Sequence, residues 1–422
     1  MLCNKHQAVK KGIRQNKQKY FCQNCKKYFS RSLSREKKIS WKQIVLDHLD
    51  GLSYRQIERR TNVSKKKLCQ IVGSQISSLP NNFAITKSLI EKLDYSGNHV
   101  IDGKYIPVKE IVLDKLTGKI PRSKKRRRIV KGKVLIWGSD YGSHDILNFE
   151  LGSSENCFVF DSYFKKLKEV NYKMISLTLD DKKEIVRAAK RHHPNCVIQL
   201  CTKHYIAKIN RVLKIANVKI KIRSKEKQLD KLFLNNESEY IPTSWFYSRR
   251  RALQLVNEIT ELEFKYELLL DFQDIIVSIV NAKNYQIAIY RINSLLNYFW
   301  QKRRQMNFPK EQIRLVRKLI LDFKDNQDYL LNYLKYPHLN IPHTTNLIEG
   351  LNSQLELRLA SIRGFENEET TEYYLNALVV KRRLTKFTDC RGRFKKLNGK
   401  SPLECAGADI SDVQKWLKVF RF

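Results

Sequence analysis

Two aspartates of the sequence stand where a carboxylate could take part in chemistry. Asp102 lies inside the extended stretch 98–107, where an isolated buried carboxylate would need compensation. Asp180 follows the apolar run 174–179, at the carboxyl edge where open α/β sheets place their sites. Each also has an ordinary interpretation, since Asp102 could be an edge or turn residue and Asp180 a helix cap.

Glu349 is a third candidate, on a predicted helix. The apolar residues of this helix share one stripe, and Glu349 projects away from it, beside Asn346 and Ser353. The stripe consists of Leu347, Ile348, Leu351, Leu355 and Leu359. The glutamate can therefore point away from the helix's own core contact, although a solvated helix residue is the ordinary alternative.

Two pairs of metal-binding residues lie near the N-terminus. Cys3 and His6 form one pair, and Cys22 and Cys25 form the other. Two such pairs can close a tetrahedral zinc site. In the alternative interpretation Cys3 and His6 belong to a frayed terminus. The flanking aromatic residues are expected to form the small core of such a ribbon, and they are Tyr20, Phe21, Tyr28 and Phe29.

The charge balance favours a polyanionic partner. Lys and Arg number 81 against 42 Asp and Glu, which gives a formal net charge of +39, and double-stranded DNA is the expected neutralising partner. A membrane partner is not expected, because the longest apolar runs are far shorter than the ~20 residues of a spanning helix. The N-terminus lacks the apolar stretch of a signal peptide. These features predict a cytoplasmic protein associated with the nucleoid.

Residues 40–75 have the pattern of a helix-turn-helix. Ser53 and Ser64 are predicted to cap its second and third helices. The third helix presents polar residues suited to contact DNA, and they are Lys65, Lys66, Lys67 and Gln70. An ordinary three-helix bundle with a solvated face is the alternative. Residues 78–86, which contain Pro80, are predicted to be a linker.

The rest of the chain predicts an α/β core interrupted by helices. Strands are expected at 99–108, 134–137, 174–179 and 196–200, with helices at 158–169 and 182–192 between them. Residues 205–336 have a helical pattern, and so does 370–387. Two further basic clusters are candidate DNA contacts: Arg126 and Arg127 on the turn between the first two strands, and Arg249 and Arg250 beside three aromatic residues. A charge run such as the first is more often merely solvated, and in the second the aromatic residues could equally belong to the core.

The segments around the three acids resemble the RNase H-like DDE transposases of bacterial-type insertion sequences, in the Mutator-related branch. The matching segments, in family order, are residues 100–106, 175–180, 199–204, 345–353 and 399–404. One departure is Asp181, where relatives commonly have glycine, and Asp180 fits the strand register better. The resemblance implies that Cys201 and His204, with Asn346, support the catalytic strand rather than bind metal.

The resemblance also implies the mechanism and the partners. Asp102, Asp180 and Glu349 would hold two Mg²⁺ or Mn²⁺ ions, since oxygen ligands select these metals, while zinc has a structural role in the N-terminal ribbon. Water would free a 3′-hydroxyl at the transposon end, and that hydroxyl would attack target DNA. A homodimer or higher oligomer on double-stranded DNA is expected. A non-catalytic DNA-binding regulator and a nuclease without strand transfer remain the alternatives.

Together these features predict an α/β protein in five segments. They are a zinc ribbon over residues 1–34, a helix-turn-helix domain over 38–78, the first part of an RNase H-like core over 95–208, a helical insertion over 209–338, and the third-acid helix with the C-terminal tail over 339–422.

Overall fold

The computed structural model divides the chain into two units, Met1–Ser78 and Leu79–Phe422. It describes residues 8–14, 17–32, 40–111, 128–234, 244–305, 310–362, 365 and 367–409. Cys3, His6, Arg126 and Arg127 lie outside the described residues.

Three antiparallel strands begin the first unit: β1 (Ala8–Arg14), β2 (Lys17–Cys22) and β3 (Tyr28–Ser32). The register of β1 against β2 shifts between Lys10 and Ile13, where Gly12 has a φ of 86° that favours glycine. The predicted aromatic residues meet in pairs across β2 and β3. The ring centroids of Tyr20 and Phe29 lie 5.4 Å apart, and those of Phe21 and Tyr28 lie 4.9 Å apart.

Three helices complete the first unit: α1 (Trp41–Leu49), α2 (Tyr54–Thr61) and α3 (Lys65–Ser77). Ser53 caps α2 as predicted, in a reciprocal capping box with Gln56. Ser64 precedes α3 as predicted, but its side chain makes no capping hydrogen bond. The buried faces of the three helices join through aliphatic side chains, so the polar residues of α3 remain on the outside.

A five-stranded mixed sheet forms the centre of the second unit, and it confirms the predicted α/β class. Its strands are β4 (Asn98–Ile111), β5 (Arg128–Asp140), β6 (Phe149–Gly152), β7 (Ser176–Leu179) and β8 (Val197–Leu200). The spatial order is β6-β5-β4-β7-β8. The first three strands of this order pair antiparallel, whereas β4, β7 and β8 pair in parallel. The short strand β6 was not predicted.

Twelve α-helices of the second unit fall within the described residues. They are α4 (Asn82–Leu89), α5 (Cys157–Glu169), α6 (Lys183–His192), α7 (Thr202–Leu213), α8 (Ile215–Leu234), α9 (Ser244–Val280), α10 (Tyr285–Gln305), α11 (Lys310–Leu330), α12 (Asn332–Lys335), α13 (Asn346–Ile362), α14 (Glu368–Leu384) and α15 (Pro402–Cys405). The segment from α7 to α12 is helical, in agreement with the predicted pattern. Within the described residues, no helix is both long and apolar enough to cross a bilayer.

The hydrophobic core runs from the sheet into the long helices. One face of α5 supplies the fully buried side chains Phe160, Tyr163 and Phe164 against the sheet. The same cluster continues through α7 and into α9, α10 and α11. The helical segment is therefore continuous with the core that carries the strands, and it helps to hold them rigid.

The predicted linker at 78–86 is wrong, because most of it forms α4. The side chain of Asn81 caps this helix by accepting a hydrogen bond from the Phe83 amide. Asn82 is fully buried and donates to the carbonyl oxygens of Ile146 and Leu147. Asn and Pro in sequence suggested a loop, whereas here the asparagines begin a helix and satisfy buried backbone groups.

Candidate active site

The pairing of β4 with β7 determines how Asp102 and Asp180 are related. Val100 lies opposite Thr178 in the parallel ladder, and the two aspartates follow these residues by two positions each. Successive side chains alternate between the faces of a sheet, so the two carboxylates emerge on the same face from neighbouring strands. Burial, and secondarily the charge of Asp180, raises the pKa of Asp102 to about 6.

Asp102 is held by a short relay of hydrogen bonds. Its Oδ2 accepts from Nδ2 of Asn352, at 2.7 Å. Oδ1 of Asn352 in turn accepts from the indole Nε1 of Trp137, at 2.9 Å. Trp137 lies opposite Asp102 in the β4–β5 ladder, and both Trp137 and Asn352 are buried. Since an indole only donates, the amide of Asn352 must turn its own donor toward the carboxylate.

Asp180 contacts the first turn of α7. Its Oδ1 lies 2.5 Å from Nδ1 of His204, and ligand atoms of Asp180, Cys201 and His204 all lie within 4.8 Å of one another. The hydrogen bond to Asp180, and next that to Cys201, raises the pKa of His204 to about 10. His204 is therefore a cation at neutral pH, and it compensates the charge of Asp180.

His204 also connects Asp180 with Glu349, which lies in the first turn of α13. Nε2 of His204 is 3.7 Å from Oε1 of Glu349, and Nζ of Lys203 donates to Oε2 at 2.7 Å. Burial alone would raise the pKa of Glu349, but the hydrogen bonds from Lys203 and Thr345 outweigh it and lower that pKa. The third acid is thus ionised and lies at the same edge of the sheet.

Thr345 joins the residues of α7 to the start of α13. Its hydroxyl oxygen lies 3.3 Å from the Cys201 sulfur, 3.2 Å from Nδ1 of His204 and 3.0 Å from Oε1 of Glu349. Nδ1 of the cationic His204 is a donor, so the single hydroxyl proton can go either to the Cys201 sulfur or to Oε1 of Glu349, but not to both. The threonine can therefore adjust its hydrogen bond when the charges around it change.

A further carboxylate approaches the site from the loop before α5. Glu155 forms an ion pair with Lys182, and it reaches the backbone of Gly103, the residue after Asp102. A Cβ on Gly103 would lie 2.2 Å from Oε1 of Glu155, so a larger residue here would force the Glu155 carboxylate to move. Lys182 lies close enough to Asp102 to reduce the rise in the pKa of that aspartate.

The described residues contain one cluster of three or more possible metal ligands, Asp180 with Cys201 and His204. Asp102 and Glu349 do not belong to it, and the imidazole ring of His204 lies between the carboxylates of Asp180 and Glu349. A thiol and an imidazole suit zinc better than magnesium. The structure thus brings all three predicted acids to one edge of the sheet, but through contacts with neighbouring side chains rather than with one another.

The sequence model of the family "Transposase, Mutator family" matches residues 29–329, which is more than two thirds of the chain. The chain belongs to this transposase family. The solved structure titled "Mos1 transposase paired-end complex with left transposon end" is 16% identical and has a TM-score of 0.15. That alignment covers 39% of the transposase and 59% of the Mos1 chain. No curated protein matches the sequence.

The two consecutive aspartates, Asp180 and Asp181, contact different residues. Asp180 faces His204 and Cys201, whereas Oδ2 of Asp181 accepts a hydrogen bond of 2.6 Å from Nζ of Lys208. Lys208 also contacts Asp322 on α11. Asp181 therefore belongs to a contact between α7 and the helical segment, away from the candidate site.

The remaining predicted site residues lie on several elements, and four of them fall outside the described residues. Lys65, Lys66, Lys67 and Gln70 are exposed on α3, and Arg249 and Arg250 are exposed on α9. Cys22 ends β2 and Cys25 lies in the turn that leads to β3, with Cys22 buried and Cys25 exposed. Asn346 lies at the start of α13, and its Oδ1 is 3.3 Å from Nζ of Lys203.

Sequence reasoning missed several residues that hold the acids in place. They are Trp137, Glu155, Lys203, Thr345 and Asn352. Asn352 had a usable signal, because it follows Glu349 by three residues and so lies on the same side of α13. Thr345 had a comparable signal, because it precedes Glu349 by four residues. Trp137, Glu155 and Lys203 had none, since each meets its partner in the site at a long separation in the sequence.

Proposed function

We propose that this chain cuts the ends of a transposon and transfers the freed 3′-hydroxyl into target DNA, with Asp102, Asp180 and Glu349 as its catalytic acids. The observation that carries the proposal is the meeting of these acids at one edge of the sheet. Two come from parallel strands in register, and the third reaches the second through His204. The mixed five-stranded sheet is consistent with an RNase H-like core.

The chemistry of the donor set fits a divalent cation. The raised pKa of Asp102 reflects burial and its like-charged neighbour Asp180, and a cation at these oxygens would relieve both. Asp102, Asp180 and Glu349 would hold Mg²⁺ or Mn²⁺, which prefer carboxylate oxygen. When bound, such ions activate the attacking oxygen and neutralise the phosphate.

The side chains around the acids have separate roles in this proposal. Asn352 orients one oxygen of Asp102 by donating a hydrogen bond to it, and Trp137 donates in turn to Asn352. His204 holds Asp180 and carries the positive charge that compensates it. Lys203 compensates Glu349 in the same way. These contacts reduce the free energy of gathering three carboxylates before DNA arrives.

Two successive reactions can use this arrangement. In the first, a water oxygen forms a bond to phosphorus at the transposon end, and the bond from phosphorus to the 3′-oxygen breaks. In the second, that 3′-oxygen forms a bond to a phosphorus of target DNA, and the target's own 3′-oxygen leaves. Both exchange one phosphorus–oxygen bond for another, so one site serves both.

The first unit is proposed to select the DNA ends. The helix α3 presents Lys65, Lys66, Lys67 and Gln70 to solvent, and an exposed helix of this kind can enter the major groove. The β2–β3 turn is proposed to hold zinc through Cys22 and Cys25, with Cys3 and His6 as the remaining ligands. A division into the five predicted segments is part of the same proposal.

Substitution of the third acid tests the catalytic assignment. Glu349→Ala should reduce Mg²⁺-dependent cleavage of transposon-end DNA to the background rate while end binding stays within a factor of two or so. The matched control is Glu356→Ala, two turns further along α13, where the glutamate pairs with Lys104 on the surface. Retained cleavage in Glu349→Ala would remove this residue from the site. Wild-type binding without any cleavage would favour a DNA-binding regulator.

A further inference from the structure

A closed loop of fifteen residues, 386–400, follows α14, and it is called the C-terminal basic loop below. Two backbone hydrogen bonds join its ends: the Phe387 amide donates to the Lys400 carbonyl at 2.9 Å, and the Gly399 amide donates to the Phe387 carbonyl at 2.8 Å. Inside the loop, the side chain of Asn398 bonds both the amide and the carbonyl of Cys390. The loop therefore has a defined shape.

Aromatic packing attaches the C-terminal basic loop to the residues that follow β5, at the open end of the β4–β5 hairpin. Phe387 and Leu397 are buried. The Phe394 ring packs against His144, with centroids 4.5 Å apart, and against Tyr141, with centroids 5.3 Å apart. The surface of the loop is thus fixed relative to the catalytic sheet.

The charge of this surface is strongly one-sided. Six basic side chains of the loop are exposed, against the single acid Asp389, and they are Lys386, Arg391, Arg393, Lys395, Lys396 and Lys400. Within the described part of the chain, none of the six forms a salt bridge. Elsewhere in the second unit, the exposed Lys203 pairs with Glu349. Here the positive charge lacks internal compensation.

Arg393 is held in place without being neutralised. Its guanidinium lies 4.8 Å from the centroid of the Tyr141 ring and 5.1 Å from that of Phe394, and it donates to the Tyr141 hydroxyl. Stacking on aromatic rings restricts an arginine while preserving its charge and its planar array of donors. A preorganised guanidinium of this kind is well suited to a phosphate group.

We propose that the C-terminal basic loop binds the phosphate backbone of the double-stranded DNA on which the catalytic site acts, an inference that rests on the proposed function. The Tyr141 amide donates to the Asn98 carbonyl at the start of β4, and Asp102 lies four residues further along that strand. Four residues of strand span about 13 Å, or about four nucleotides of one DNA strand. One duplex can therefore reach both the acids and the loop.

Salt-dependent binding to a short duplex of arbitrary sequence, measured without divalent metal, tests the proposal in the full-length protein. The variant combines Arg393→Gln, Lys395→Gln and Lys396→Gln, exposed positions whose side chains take no part in the hydrogen bonds that close the loop. The slope of the logarithm of the association constant against the logarithm of salt concentration should become shallower by about 0.9 for each lost contact, and so by about 2.7 for three. Arg393→Lys alone should lose less than Arg393→Gln, because it keeps the charge.

The matched control removes one arginine and two lysines from the exposed face of α8, as Lys221→Gln, Arg223→Gln and Lys227→Gln. The proposal requires the loop variant to lose more affinity than this control. Equal losses, or an unchanged slope in the loop variant, would overturn it and leave the loop as solvated charge. Failure of the wild-type protein to bind any duplex would instead contradict the proposed function, so the two failures are distinguishable.

Discussion

At the scale of single residues, the orientation of Asn352 decides where one oxygen of Asp102 points. The indole of Trp137 can only donate, so it fixes the amide of Asn352 with its nitrogen toward the carboxylate. Residues that orient a metal ligand in this way typically contribute 10–100-fold to affinity or activity. In the proposed mechanism Asn352 is therefore a positioning residue, one step removed from the reacting atoms.

Substitution of Asn352 should weaken the site without unfolding it. Asn352→Ala is expected to reduce both end cleavage and the affinity for Mn²⁺ by about 10–100-fold, because Asp102 loses its orienting donor. Trp137→Phe should act in the same direction but more weakly, since it removes only the constraint on the amide. Isothermal titration with Mn²⁺ gives a readout independent of turnover. Unchanged metal affinity in both variants would show that the relay is merely structural.

The two consecutive aspartates provide a second test at this scale. Asp180→Asn should abolish cleavage, because Asp180 contacts His204 within the site. Asp181→Asn should retain most of the activity, because Asp181 contacts Lys208 at the surface of α7. The comparison is matched in residue type, in charge and nearly in position. Cleavage assays with the two purified variants separate them, and the opposite order of activities would reverse the assignment.

The sequence favoured Asp180 over Asp181, but it did not reveal the neighbours of either. The alternation of side chains along a strand places Asp180 on the same face as Thr178, two residues before it. The contact of Trp137 with Asn352, by contrast, joins residues 215 positions apart. Such a contact depends on how α13 packs on the sheet, and no local pattern specifies that packing.

At the scale of elements, caps and turns explain both the correct and the incorrect predictions. Ser53 with Gln56 is a complete capping box within four residues, so the start of α2 was predictable from local chemistry. Asn81 caps α4 equally well, but its neighbours Pro80 and Asn82 are also common in loops. The buried partners that favour the helix, Ile146 and Leu147, are distant in the sequence.

The turn between β2 and β3 carries the zinc prediction. Cys22 ends β2 and Cys25 lies in this turn, and the Cys22 amide donates to the Lys27 carbonyl at 3.0 Å. Replacing both cysteines by serine should remove stoichiometric zinc from the purified protein and lower the stability of the first unit, because structural zinc contributes directly to folding. Metal analysis by mass spectrometry measures the loss. Cys69→Ser, in α3 of the same unit, is the control, and equal zinc content in all three proteins would exclude the ribbon.

At the scale of the whole molecule, the order of the strands is what the sequence could not supply. The pattern of strands and helices predicted an α/β class, and the sheet confirms it. The strand β4 lies between β5 and β7 because it pairs in parallel with β7. In the sequence these two strands are separated by β5, β6 and α5. That pairing brings Asp102 beside Asp180, so the geometry of the acids follows from topology rather than from local sequence.

Two buried histidines, His99 on β4 and His144 in the loop after β5, make the stability of the molecule depend on pH. Burial, and next the charge of His193, lowers the pKa of His99 to about 3, while burial and next Arg382 lower that of His144 to about 4. Both histidines are neutral in the fold but titrate at about 6.5 when unfolded. As the pH falls below about 6.5 the unfolded chain takes up protons that the fold excludes, so stability is complete above that pH and decreases below it.

The expected loss between pH 7 and pH 5 is about 2 kcal/mol for each histidine, or 1.36 kcal/mol for each of about 1.5 pH units. This is a large share of a typical folding free energy of about 5–15 kcal/mol. His99→Gln keeps a polar partner for the Tyr163 hydroxyl, which lies 2.8 Å from Nε2 of His99. Glutamine does not titrate, so this variant should lose about 2 kcal/mol less than the wild type over the same interval. Urea unfolding of the full chain at both pH values measures the difference, with exposed His338→Gln as the control. Identical pH dependence in the wild type and His99→Gln would mean that protonation of His99 is not linked to unfolding, and the burial of β4 against α5 would then have to tolerate a charged imidazole.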